Sequence, residues 1–573
     1  MVVLESPMRK SVRPLCSVLA SLLLVVGGSS PLLSQAAPRP PAKQRLDQAE
    51  LLQRAGRVDE ALALVQADVS DEGLLLRNAW LLLQLQAAAG QLDAAWQTLA
   101  RMADERQMVP ARWLETAKEL APLRDDPRWS TALAQARAFD ALRERLYGAA
   151  ALETPFRETL PLNERLAGLS RLWAEVKTHF VNFELVPGLD WDALYLQTLE
   201  RVSRTPRTED YYRELMRMMA QLHDGHSGLV LPEPLRDRMQ ARPALRTRWI
   251  EGQVLITELL DPELSDLGLA VGLEIMAIEG LPVADYVERH VQPFTSASTP
   301  QDLAQRLYDY NLLRGDARRA VRLTLKDTQT GASRVLRVPR LDGKARAALL
   351  AKADDASFRW RMLPGEVAVV ELRGFGDDEP VKAYRAAFEQ IAQARAIVFD
   401  LRENSGGNSS VGYRILATLS PQAFETSQWW TRSQVSAWRA WGLPLTIEGG
   451  SPGLVQPDAQ RQFTGPVAVL TSGGTYSAAE DFVAAFKRMA RGPVVGEATG
   501  GSTGQPLFFK LPGGGSARVC SKRDRLPDGT EFVGKGLQPD LLARPTLTGW
   551  RAGRDEVLEA ALARLSASST ASR

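Results

Sequence analysis

Cysteine, histidine, surplus charge and long apolar runs are all scarce in this chain, and each scarcity removes a class of function. Of 573 residues only two are cysteine, Cys16 and Cys520, and four are histidine. Cys16 falls in an N-terminal segment that reads as cleavable, so one thiol remains afterwards. That excludes an internal disulfide and a cysteine-built zinc site. A single thiol is compatible with export if Cys520 is buried. Charge is balanced, with 70 basic and 68 acidic residues. Removing residues 1–36 takes away three bases and one acid and brings the formal charge from +2 to 0. Nothing in that balance asks for nucleic acid or an anionic membrane as partner. The apolar run Leu15–Val26 is twelve residues long, too short to span a bilayer. Arg9, Lys10 and Arg13 precede it and the small-residue stretch Ser34–Ala36 follows. This is the pattern of a signal peptide over residues 1–36, with a periplasmic or secreted product and no integral membrane span after its removal.

What is present points to several domains, since a chain of this length exceeds one core. Hydrophobic residues make up 45% and charged residues 24%, the balance of a soluble globular protein. Residues 37–150 are rich in Ala, Leu, Gln and Arg and contain a self-similar pair, "LLQRAGRVDEALALV" from Leu51 and "LQAAAGQLDAAWQTL" from Leu85. Gly56 and Gly90, Asp59 and Asp93, Ala61 and Ala95 each lie 34 residues apart. This is the tetratricopeptide period, in which glycine turns between paired helices. Such a repeat serves either as a docking surface for a protein partner or simply as packing. Residues 151–235 are read as a helical lead-in that runs into "LHDGHSG", which holds His223 and His226. Residues 236–344 shift to short strands, residues 345–360 read as a charged linker, and residues 361–548 alternate strand and helix as in a βαβ core. A C-terminal helix and tail occupy 549–573. The segment "LGLAVGLEIMAIEGLPVADYV" within 236–344 resembles half of a PDZ domain, with Leu273 where that family usually has Asp. Such domains bind an extended chain end at a sheet edge.

Three stretches carry the chemistry: "LHDGHSG" (Leu222–Gly228), "VFDLRENSGGNSS" (Val398–Ser410) and "LTSGGTYSAAEDF" (Leu470–Phe482). Ser477 precedes a helical run, so an N-cap role is the simplest reading. An acyl-transfer site, however, needs a nucleophile, a base in reach and donors aimed at an oxyanion. Ser477 supplies a hydroxyl, Ala478 an adjacent N–H, and Gly406 and Gly407 a backbone free of side chains. Imidazole titrates near neutrality and suits the base.

These blocks, with the closing "DGTEFVGKGLQPD" (Asp528–Asp540), resemble in kind and order the C-terminal processing peptidases, or tail-specific proteases, over about residues 160–545. The branch similar to the tricorn core protease matches most. The resemblance implies an α+β multidomain fold ending in a serine peptidase core, a polypeptide substrate, and no metal or organic cofactor. It implies Ser477 as nucleophile and His226 as general base. Gly406, Gly407 and Ala478 fall where the family places oxyanion-hole N–H groups. Many members use a lysine base in a "GEKTxGKG" block; here that block is "GEATGGSTG" and Ser502 stands at the lysine position. The tricorn-like branch orients its histidine through a preceding serine, and Gly225 stands there instead. Ser227, Asp224, Glu480 and Glu531 are the candidate replacements, with Glu480 and Glu531 the candidate orienting carboxylates. Spacing does not choose between them. His179 and His290 read as satisfied core residues, Asp400 and Arg402 as a strand-end ion pair, and Asn404 as support for the glycine turn. The competing reading is a peptide-binding scaffold on the same fold, which would hold His226 away from Ser477.

Overall fold

The computed structural model describes residues 42–72, 76–106, 108–352, 356–450 and 452–571. The expected signal peptide lies outside them. Among the described residues no helix is long and apolar enough to cross a membrane.

The N-terminal region is helical throughout: Ala42–Arg54, Val58–Glu72, Leu76–Ala88 and Leu92–Asp104 follow one another, with Arg128–Tyr147 beyond. Gly56 at φ +76° and Gly90 at φ +74° occupy the turns inside the two similar pairs, a left-handed conformation open to glycine at no steric cost. Ala61 and Ala95 are fully buried, which lets the paired helices approach. Helices Leu162–His179, Trp191–Ser203 and Thr208–Ala220 form the lead-in. Next comes a sheet in the order Leu245–Ile250, Gln253–Leu259, Glu274–Ile278, Val321–Lys326, Ser333–Val338, with every neighbouring pair antiparallel. It packs on its own core of Val254, Ile256, Ile275, Leu323 and their neighbours. The stretch read as a linker is helical over Gly343–Lys352, and Phe358–Leu363 is a strand. Its Ala-rich composition favours helix, which outweighs the charge that suggested a connector.

The site rests on the last sheet. Its strands run in the order Leu541–Leu542, Val494–Gly496, Val467–Thr471, Ala396–Asp400, Val367–Leu372, Phe358–Leu363. The first five are parallel and only Phe358–Leu363 is antiparallel. The β-branched run "AIVFD" is buried on both faces, as a central parallel strand requires. Residues such as Val370, Phe399 and Val469 face the helices Glu379–Ile391, Ser409–Leu416 and Ala478–Met489. Their neighbours Val369, Val398 and Leu470 face the C-terminal helix through Val557, Leu558, Ala561 and Leu565. The C-terminal segment is therefore the second layer of the core. A three-stranded sheet, Gly228–Val230 with Gly515–Cys520 and Pro506–Leu511, ties the histidine block to this domain in the register Gly228 opposite Arg518. Cys520 is fully buried and unpaired.

Phe482 lies at the centre of the helix layer, 5.8 Å from the Phe399 ring and 6.2 Å from the Phe375 ring. We expect Phe482→Ala to cost about 3–5 kcal/mol of stability, measured by chemical denaturation followed by tryptophan fluorescence.

Candidate active site

The Val467–Thr471 strand ends in a glycine turn, and the helix Ala478–Met489 starts immediately after Ser477. Ser477 has φ +57° and ψ −123°, a sparsely populated backbone state for a residue with a Cβ. Such a state costs about 1–3 kcal/mol and persists only where the surroundings over-determine it. They do so here. The Ser477 N–H is offered to Ser502 O at 3.2 Å and to Glu480 Oε2 at 3.3 Å, and the Ser477 carbonyl accepts the Glu480 N–H at 2.8 Å. The turn aims the hydroxyl at the histidine block. Ser477 Oγ lies 3.0 Å from His226 Nε2, and Ser502 Oγ lies 2.7 Å from His226 Nδ1.

His226 is held from below by its own turn. Its N–H donates to Asp224 Oδ1 at 3.0 Å, and Asn182 Nδ2 donates to Asp224 Oδ2 at 2.8 Å. The Asp224 and Gly225 N–H groups donate to Ser296 Oγ and Ser298 Oγ, each at 2.9 Å. The ring is 5% exposed and stacks on Tyr476 at 5.0 Å between centroids. Burial first, then the cations Arg518, Arg306 and Lys522, push its pKa down to about 3. The imidazole is therefore neutral at physiological pH. With Nδ1–H donated to Ser502, Nε2 is left to accept the Ser477 proton.

Glu480 is wholly buried and touches neither His226 nitrogen. It accepts from Gly501 N at 2.8 Å, Ser502 N at 2.8 Å and Thr499 Oγ1 at 2.6 Å, besides the Ser477 N–H. Burial raises its pKa to about 7 against the pull of these donors. Glu480 thus acts on the histidine through the loop that carries Ser502. Glu531 is elsewhere, 2.9 Å from Arg523 Nε and 3.3 Å from Trp430 Nε1. The closing block bends it toward those partners and away from the His226 ring. Ser227 accepts the Cys520 N–H at 3.0 Å and secures the strand pairing.

Gly406 has φ +93°, and a Cβ there would lie 2.6 Å from Ser477 Cβ, so only glycine permits this approach. Its N–H is engaged by Asn404 Oδ1 at 2.9 Å. Among the described residues the N–H groups of Gly407 and Ala478 have no hydrogen-bond acceptor. Arg402 pairs with Asp400 at 2.6 Å and with Asp555 at 2.8 Å, fixing the strand end to the C-terminal helix.

Comparison with known proteins agrees with this architecture. Residues 366–543 match the profile of peptidase family S41. The chain is also similar to carboxyl-terminal-processing peptidase 2, chloroplastic, of Arabidopsis thaliana, 27% identical over 195 residues. That match covers 31% of this chain and 35% of the relative, so it spans about a third of the curated protein's length. The structure of mature CPAF complexed with lactacystin is similar in fold, with a TM-score of 0.55 and 14% identity, over 68% of this chain and 95% of that one.

Relative to the S41 domain the other histidines are peripheral. His223 is exposed at φ +45°, His290 is exposed beside the Tyr286 ring, and His179 is 38% exposed and 3.4 Å from Glu175. His179 and His290 are surface residues, not core residues as expected, because each closes a helix whose apolar face points the other way. Two residues escaped sequence reasoning. Ser502 was noticed only as a missing lysine, yet the position that would carry a base is the one that reaches His226. Tyr476 gave no signal beyond adjacency to Ser477. Its phenol oxygen fills the space a side chain at Gly225 would need, with Arg306 Nη2 2.7 Å and Asp302 Oδ2 2.9 Å from the same point.

Gly225→Ser is therefore expected to lose about 1–3 kcal/mol through overpacking. Gly225→Ser combined with Tyr476→Phe should recover part of it. Thermal unfolding of the four-member cycle checks the coupling; strict additivity would contradict the contact.

Proposed function

We propose that this protein is an exported serine endopeptidase that hydrolyses extended or C-terminal polypeptide segments through an acyl-enzyme on Ser477. The observation that carries this reading is the 3.0 Å contact between Ser477 Oγ and His226 Nε2, with Nδ1 held by Ser502. Ser477 Oγ attacks the scissile carbonyl while its proton passes to His226 Nε2. The N–H groups of Gly407 and Ala478 receive the oxyanion. His226 then returns the proton to the leaving amine, and a water deprotonated by the same nitrogen releases the acid. Asp224 and Ser502 position the ring, and Glu480 positions Ser502. The strand-rich region over 236–344 serves as a PDZ-like holder for the substrate chain, and the repeat over 37–150 as a tetratricopeptide-like dock for a protein partner. The signal-like start supports a periplasmic or secreted location. A scaffold without turnover would leave His226 apart from Ser477, and the hydrogen bond between them favours the enzyme.

Ser477→Ala and His226→Ala should each lower cleavage of an unstructured polypeptide by at least about 10³-fold. Ser477→Ala should also abolish labelling by a fluorophosphonate probe; labelling that persists assigns the nucleophile elsewhere. Ser502→Ala, which leaves Nδ1 without its partner, should cost about 10- to 100-fold in kcat with a smaller change in KM.

The pH profile follows from the histidine and from Glu480. The base must be neutral, and its pKa is lowered to about 3 in the fold. His226 itself protonates only as pH falls through that lowered value, well below the ordinary histidine value of about 6.5. Glu480, raised to about 7, protonates first and weakens its hold on the Ser502 loop, so the acid limb of kcat/KM should lie near the Glu480 value. Glu480→Gln should remove the limb near 7 and leave only that of His226. A limb near the ordinary value of about 6.5 that survives Glu480→Gln would show that His226 is solvated or paired with a carboxylate in the working enzyme.

A further inference from the structure

Away from Ser477, a cavity of about 440 Å³ lies between the helix Thr208–Ala220, the helix Val283–His290 and the Asn311–Gly315 loop. Four arginines line it, Arg213, Arg217, Arg289 and Arg314, and no acidic residue does. Arg213 and Arg217 share a helix face by their four-residue spacing.

The nearby carboxylates balance three of these four charges and leave Arg314 over. Glu209 pairs with Arg213 at 3.0 Å, Glu214 is shared between Arg217 at 2.6 Å and Arg201 at 3.0 Å, and Asp285 stands 4.0 Å from Arg289. None of the three carboxylates lines the cavity. Arg314 is the most isolated. Its Nε is buried with no hydrogen-bond partner; burial first, then the neighbouring cation Arg306, lowers its pKa to about 10, and the further charge that interacts with it, Arg242, is also a cation. A buried guanidinium without a counter-charge is costly unless an anion joins it.

The rest of the wall is apolar. Met216, Met239 and Phe294 line the same space, and Arg217 lies over the Phe294 ring at 5.3 Å. The volume is that of a small organic ligand. Guanidinium forks arriving from three separate elements suit a dianion with three acceptor oxygens better than a carboxylate with two.

We propose that this cavity binds a small organic phosphate, its phosphoryl oxygens on Arg217 and Arg314 and its apolar body on Met216 and Phe294. The site is independent of the peptidase reading, since none of these residues belongs to the catalytic cluster.

The test is calorimetric titration of the full chain with phenyl phosphate, inorganic phosphate and benzoate. Phenyl phosphate should bind most tightly, and its affinity should fall as salt rises. Arg314→Met and Arg217→Gln should each weaken it by at least about tenfold. In the unmodified chain, phenyl phosphate should protect Arg217 from phenylglyoxal, read by peptide mapping, so the result does not depend on the variants folding. Absence of phenyl phosphate binding, affinity unchanged in both variants, no protection of Arg217, or benzoate bound equally well would each overturn the proposal.

Discussion

One buried carboxylate holds the site together. Glu480 accepts from Ser477, Thr499, Gly501 and Ser502, so the Ser477 turn and the loop bearing the histidine's partner share a single anchor. A carboxylate with no solvent exposure is tolerable only when its lone pairs are filled, and here the fillers are the backbone groups whose positions matter. The positive φ at Ser477, the 2.7 Å contact of Ser502 with His226 and the pairing of the Glu480 helix with the glycine turn all follow from satisfying that one group. The carboxylate also stands at the start of its helix, where negative charge is favoured by the backbone dipole.

The charges around His226 give this cluster a character unlike a Ser-His-Asp arrangement. Among the described residues no carboxylate hydrogen-bonds the ring; hydroxyls do, and the charges that act on the imidazole are Arg518, Arg306 and Lys522. Burial first, and those cations second, hold it neutral by disfavouring the imidazolium. The same neighbourhood explains Gly225. Arg306, paired with Asp302 at 2.6 Å, lies 5.1 Å over the Tyr476 ring, and the phenol beneath it fills the space above the glycine. The segment that supplies Asp302 and Arg306 also supplies Ser296 and Ser298 to the histidine turn. The strand-rich domain therefore forms one wall of the site.

Much of this was legible in the residues because the relevant chemistry is local. A glycine turn before a Ser-led helix, a double glycine after a buried strand and a histidine in a tight polar turn each announce themselves within about ten residues. The 34-residue spacing of Gly56 and Gly90 marked the helix pairs because helix packing repeats along the chain. The apparent linker failed for the opposite reason: "GKARAALLAK" is charged, but its alanines favour helix.

The candidate residues Ser477 and His226, and the α/β character of the core, could be read from the chain as strings of residues, since each depends on side-chain type and short spacing. The partner of the base could not. Ser502 is 276 residues from His226 and Glu480 is 254 residues away, and both are brought in only when Gly228–Val230 pairs with Gly515–Cys520 and the Glu480 carboxylate closes on the Thr499–Ser502 loop. Spacing left Glu531 and Glu480 equal. Burial separated them, because Arg523 and Trp430 engage Glu531 while four inward-pointing donors converge on Glu480.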